Sequence, residues 1–128
     1  MTTMSKLLSV LFILIPSFFY AQSNGFIEFE TEQIHLGKVT KGEKVDSLFK
    51  FTNVSDEDVV IELVSTCECT KANWPKSKIK PGETGEIPFT FDSNEKEKEE
   101  EISIDVYLKN IDEEGNPVII FLYYDYQY

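Results

Sequence analysis

A sandwich of two β-sheets, about seven or eight antiparallel strands in all, is the all-β fold that the sequence predicts, and three observations predict it. Apolar and polar residues alternate along several stretches, most clearly Lys44 to Asn53 and Ile102 to Lys109, the period of a half-buried strand. Turn signals recur at a spacing of roughly 8 to 15 residues. The chain carries no convincing helical pattern, and its 128 residues fit one domain.

The N-terminal segment stands outside that domain. Met1 to Lys6 carries one positive charge, Leu7 to Ile15 is an apolar run, Pro16 breaks it, and Ala21 precedes Gln22. This is the pattern of a secretory signal peptide, residues 1–21, leaving a sandwich domain over 22–128. The apolar run is too short to span a bilayer, which takes about 20 apolar residues. The mature chain is therefore expected outside the cytoplasm, periplasmic or extracellular, with no stable membrane anchor.

Charge narrows the partners. Loss of Lys6 leaves 11 lysines and no arginine against 23 acids, a formal charge of −12. Such a surface has no basic footprint for phosphates, which excludes nucleic acid as an expected partner and disfavours anionic membranes. The acidity itself reads as solubility.

Along the mature chain, Phe26 to Glu30 and Gln33 to Val39 look like a split first strand, closed by the turn Thr40-Lys41-Gly42-Glu43. In Lys44 to Asn53, Val45, Ser47, Phe49 and Phe51 share one face. A polar turn follows, and Val59, Ile61 and Leu63 resume a strand whose unbroken continuation would put Ser65, Cys67 and Cys69 on the same face. Thr70 to Lys80 loses the period and holds Trp74-Pro75, so it reads as a crossover or an edge segment. Pro81 to Gly85 is a turn that launches Ile87, Phe89 and Phe91, and Pro88 asks for an edge strand or a nitrogen facing away from its neighbour. Ser93 to Glu101 is a charge run, expected as a long hairpin tip or a solvated strand end. Ile102, Ile104, Val106 and Leu108 then face inward, Asn110 to Pro117 reads as a hairpin loop, and Val118 to Tyr126 begins apolar on both faces. That last feature suits a strand covered on both sides or one at a contact surface.

In order, His35-Leu36-Gly37-Lys38-Val39, Gly42-Glu43, Phe49 to Asn53, Ser65 to Thr70, Trp74-Pro75, Ile79 to Ile87 and Phe91-Asp92 resemble the domain of unknown function 1573 family. The resemblance covers about residues 32 to 108. It implies an immunoglobulin-like, PapD-like β-sandwich in exported bacterial proteins, especially common in Bacteroidota, and it implies no catalytic residues. Relatives usually carry Cys-Gly-Cys where this chain has Cys67-Glu68-Cys69, so a role that needs a glycine conformation between the thiols does not carry over.

The two cysteines are the chemically distinctive pair, and three readings stay open for them. They are thiols ending a core strand, or a labile disulfide with a redox role, or two thiolates for a soft metal such as Cu(I). On an extended strand their Cα atoms would lie about 6.6 Å apart, so a bond between Cys67 and Cys69 needs a bulge or turn there. Metal binding is weakened by the shortage of further ligands, His35 being the only histidine. A catalytic cysteine needs an activating base, and spacing alone brings none to it, so the chain reads as noncatalytic and without a cofactor. For partner binding the candidates are Trp74 and the aromatic end, Tyr123, Tyr124 and Tyr126, because tyrosine is enriched where proteins meet. If the last strand is an edge, it could accept a strand from another envelope or secreted protein.

Overall fold

Residues 24–128 are described by the computed structural model, so the signal peptide over residues 1–21 and its cleavage after Ala21 lie outside the described residues. Eight strands follow one another: β1 (Ile27–Phe29), β2 (Gln33–Lys38), β3 (Lys44–Asn53), β4 (Ile61–Ser65), β5 (Thr70–Ala72), β6 (Thr84–Asp92), β7 (Glu101–Ile111) and β8 (Pro117–Gln127). They form two sheets, ordered β1-β3-β6-β5 and β2-β8-β7-β4. The split first strand is real: β1 pairs with β3 in one sheet, and β2 crosses over to join β8 in the other. All pairs are antiparallel except β2 with β8, which is parallel. The departure follows from that crossover, which brings β2 to the second sheet running in the same sense as the last strand.

Alternation along the long strands builds the core between the sheets. Phe49 and Phe51 of β3 and Ile87, Phe89 and Phe91 of β6 meet Ile104, Val106 and Leu108 of β7 and Leu122, Tyr124 and Tyr126 of β8, all buried. Rings tie the layers together. Phe89 stacks on Phe49 at 5.5 Å within its sheet and on Tyr124 at 4.8 Å across the gap, and Phe91 lies 4.3 Å from Tyr126. Gly85 sits opposite Phe51 in the β3–β6 register, and a Cβ at Gly85 would overlap the Phe51 ring. The missing side chain is what lets that ring lie flat over β6.

Two expectations change and a third is decided between its alternatives. A register shift between Ile61 and Leu63, a bulge that turns a strand over, puts Leu63 on the outside and Val64 in the core. The charge run is not a hairpin tip: a 3-10 turn at Ser93–Glu95 begins a connection from β6 in the first sheet to β7 in the second. It is pinned by the end of the chain, since the Tyr126 hydroxyl donates to the Lys98 carbonyl and the Tyr128 hydroxyl donates to the carbonyls of Ser93 at 3.1 Å and Lys96 at 2.8 Å. Finally, β6 is an interior strand, so Pro88 is not at an edge. Its carbonyl accepts from Asn73 N–H at 2.9 Å, so its ring nitrogen faces away from β3 and toward the end of the short edge strand β5, where the one ladder bond it forfeits, the return bond to Asn73, falls where the pairing stops.

Candidate functional site

Just beyond β4 the chain does not stay extended. Thr70 N–H donates to the Cys67 carbonyl at 3.1 Å, closing a turn that brings the Cα atoms of Cys67 and Cys69 to 5.2 Å, and the two form a disulfide. The turn is what extended geometry lacked. No free cysteine is present among the described residues.

The two sulfurs have different surroundings. Cys69 is 2% exposed and packs in the core, whereas Cys67 is half-buried and lines a groove of about 210 Å³ with Ser65, Thr66, Lys96, Ser103 and Asp105. Beneath them, Thr70 Oγ1 lies 3.3 Å from Cys69 Sγ and 3.5 Å from Cys67 Sγ, and it hydrogen-bonds the Tyr124 hydroxyl. A three-residue loop restrains little of the unfolded chain, contributing about 1.6 kcal/mol by the loop-entropy relation. The bond is thus a weak staple.

As a disulfide the pair offers no thiolates to a soft metal. His35 does not supply the missing ligand either: it lies on β2, at the edge of the sheet opposite β4. There its Nδ1 is 2.7 Å from Asp125. No group of three or more His, Cys, Asp and Glu side chains among the described residues could hold a metal ion.

Burial pushes the Tyr124 hydroxyl up to about 12, against a smaller opposing effect of the Thr70 hydrogen bond, and Tyr126 is raised as well, again chiefly by burial. Both phenols are therefore protonated at neutral pH. The unfolded chain loses these protons near pH 10, so the stabilisation is complete below that pH and is lost as pH rises through the folded-state value. The urea midpoint is expected to hold to about pH 10 and to fall by pH 12, with Tyr124 contributing on the order of 2–3 kcal/mol. Tyr124→Phe should flatten the decline, and an equal decline in that variant would refute the assignment.

The second candidate surface is the outer face of the β2-β8-β7-β4 sheet. Register aligns Leu63 with Tyr107 and Ile119 in one row across three strands, and Ser65 with Asp105 and Phe121 in the next. Ser103, Tyr123 and Gln33 make a third row, and Glu101, Asp125 and His35 a fourth. The face is thus apolar at one end and acidic at the other. Leu63, Ile119 and Phe121 are 48%, 40% and 50% exposed, with Tyr107 and Tyr123 half-buried beside them. Asp105 stands between Ser65 and Phe121, and its Oδ1 has no hydrogen-bond partner among the described residues.

Of the predicted contact residues, this face holds Tyr123 alone. Tyr124 and Tyr126 are 0% and 2% exposed, because the period that turns Val118, Ile120 and Leu122 inward continues through both. Since β8 is interior, it cannot accept a strand. Trp74 follows β5 in the other sheet, half-buried, with the Lys76 ammonium 3.0 Å above its ring. Leu63, Ile119, Phe121 and Asp105 are the residues that sequence reasoning missed. Ile119 and Phe121 did leave a signal, the doubly apolar start of the last strand.

Solved structures share the fold at low identity. A structure of the Vibrio cholerae VesB protease matches with a TM-score of 0.64 at 12% identity, over 80% of this chain and 32% of its own. A protein of unknown function from Porphyromonas gingivalis matches with a TM-score of 0.62 at 18% identity, over 79% of this chain and 46% of its own. The ASH/PapD-like domain 7 of human CEP192 matches with a TM-score of 0.64 at 13% identity, over 80% of this chain and 84% of its own. The chain thus spans less than half the length of the first two. No curated protein matches the sequence significantly. The sequence model of the family described as protein of unknown function (DUF1573) matches residues 27–120.

Proposed function

Because the chain belongs to the DUF1573 family, immunoglobulin-like modules of unknown role, we propose that it is an exported, noncatalytic module that binds another envelope or secreted protein. The binding surface is the outer face of the β2-β8-β7-β4 sheet. One observation carries the reading: three large apolar side chains, Leu63, Ile119 and Phe121, stand exposed on adjacent rows of a sheet whose other face is the core. Apolar patches of this kind mark sites of protein contact. The acidic end, with Asp105, Glu101 and Asp125, selects a partner segment that sets apolar side chains beside a lysine or arginine. Self-pairing is opposed by the net negative charge.

Export is supported by the N-terminal segment, and a further fold relative from Vibrio cholerae, VesC, is described as a secreted serine protease. Catalysis is left out because the two cysteines are joined to each other and the sole histidine, His35, is engaged with Asp125, so no cysteine–histidine pair is described. The test is a photoreactive residue placed at position 121, and separately at Leu48 on the outer face of the other sheet, in the native envelope. Position 121 is expected to capture one protein through a segment with apolar and basic side chains. Capture only from position 48, capture of a second copy of the chain, or no capture at normal expression would each overturn the proposal.

A further inference from the structure

The disulfide turn, whose groove borders the proposed binding face through Ser65, Ser103 and Asp105, carries an inference that rests on its own observations. We infer that Cys67–Cys69 is a thiol–disulfide exchange site in which an incoming thiol attacks Cys67 and Cys69 is the leaving sulfur. Three features point to it.

The first is access. A thiolate must approach along the extension of the S–S bond. Cys67 is half-buried and lines an open groove, whereas Cys69 is 2% exposed within the core, so Cys67 is the sulfur that an incoming thiolate can reach. The second is the leaving group. Rates of exchange depend on which sulfur is reached and on how well the departing one carries charge. The Tyr124 hydroxyl, kept protonated by burial, can donate to Thr70 Oγ1, which frees the Thr70 O–H to donate to Cys69 Sγ at 3.3 Å. A hydrogen bond to a thiolate is charge-assisted and stronger than one to the disulfide. The third is the charge of the groove, where Lys96 is paired with Glu100 at 2.7 Å while Glu101 and Asp105 remain. The substrate class is therefore a thiol without net negative charge.

The step balances as follows. The thiolate RS⁻ forms an R–S–S–Cys67 bond as the Cys67–Cys69 bond breaks, and the electron pair leaves on Cys69, which takes up a proton. A second thiol then displaces Cys67, so that two thiols are oxidised to a disulfide and the protein gains two electrons and two protons. As a weak staple, the bond can open with the sandwich intact.

Oxidised native protein is mixed with cysteamine, 2-mercaptoethanol or 2-mercaptoethanesulfonate, quenched in acid at low conversion, alkylated with a maleimide and fragmented between positions 67 and 69 by mass spectrometry. The adduct is expected on Cys67 and the alkyl group on Cys69, in a ratio above about ten. Per thiolate, cysteamine should react about tenfold faster than the sulfonate at low salt, a gap that closes in high salt. Thr70→Val should slow exchange several-fold with unchanged near-UV dichroism, and Tyr124→Phe, which removes the donor to Thr70, gives a second variant if the first misfolds. An adduct on Cys69 or on both residues equally, exchange only at urea concentrations that unfold the protein, or rates that ignore thiol charge would overturn the inference. The Cys67→Ser, Cys69→Ser double variant should take up no adduct.

Discussion

Phe89→Ala is expected to lower stability by about 3–5 kcal/mol, the cost of emptying a phenylalanine site in a packed core. The loss falls at the upper end because Phe89 bridges the two sheets, stacked on Phe49 of its own sheet and on Tyr124 of the facing one. Neither ring can follow into the void: Tyr124 is tied to Thr70 through its hydroxyl, and Phe49 is fully buried. For a domain of about a hundred residues the melting temperature should fall by roughly 15–25 °C. Urea unfolding with an unchanged slope would measure it. Leu48→Ala, which trims an exposed side chain opposite Pro88 on β3, should stay within about 0.5 kcal/mol of the parent. A Phe89→Ala loss below about 1 kcal/mol would mean that the inter-sheet column is not the centre of the core.

Phe121→Ala should weaken the complex with the partner captured at that position by about thirtyfold or more, since central aromatic anchors contribute 2 kcal/mol and upward when truncated. Its register neighbours are Asp105 and, beyond it, Ser65, so the ring lies where the apolar rows meet the acidic ones. Stability should barely move, because half of the ring is already in water. Affinity should also fall with added salt, as a basic segment on an acidic patch requires. Titration calorimetry at two ionic strengths decides both points, and wild-type affinity in Phe121→Ala would remove this face from the binding surface.

Much of the sandwich was legible because β3, β6 and β7 each bury one face, and a period of two announces that directly. Where the sequence misled, the cause was local or long-range geometry that a period does not encode. The bulge at Ile61–Leu63 inverts the rest of β4 without a glycine or proline to mark it. The turn that joins Cys67 to Cys69 has Glu68 and Cys69 at its centre, neither of them a turn former, so the sequence reads there as an extended strand. The aromatic end departs for another reason. Tyr124 and Tyr126 continue the inward register of Val118, Ile120 and Leu122, and in this strand register outweighs the tyrosine preference for interfaces. The exposed apolar residues that replace them, Ile119 and Phe121, are their odd-numbered neighbours on the same strand.

The parallel β2–β8 pair has a consequence for the order of events as the chain is delivered. Its partners His35 and Asp125 are 90 residues apart, and β2 has no other strand neighbour among the described residues. A chain emerging from its N-terminus, whether from the ribosome or through a membrane pore, can assemble β1, β3 and β6 as soon as Asp92 is out. β2 must wait, unpaired, until β8 has followed. Closing so long a loop comes late and slowly. The edge of one sheet therefore registers that the chain has arrived through β8.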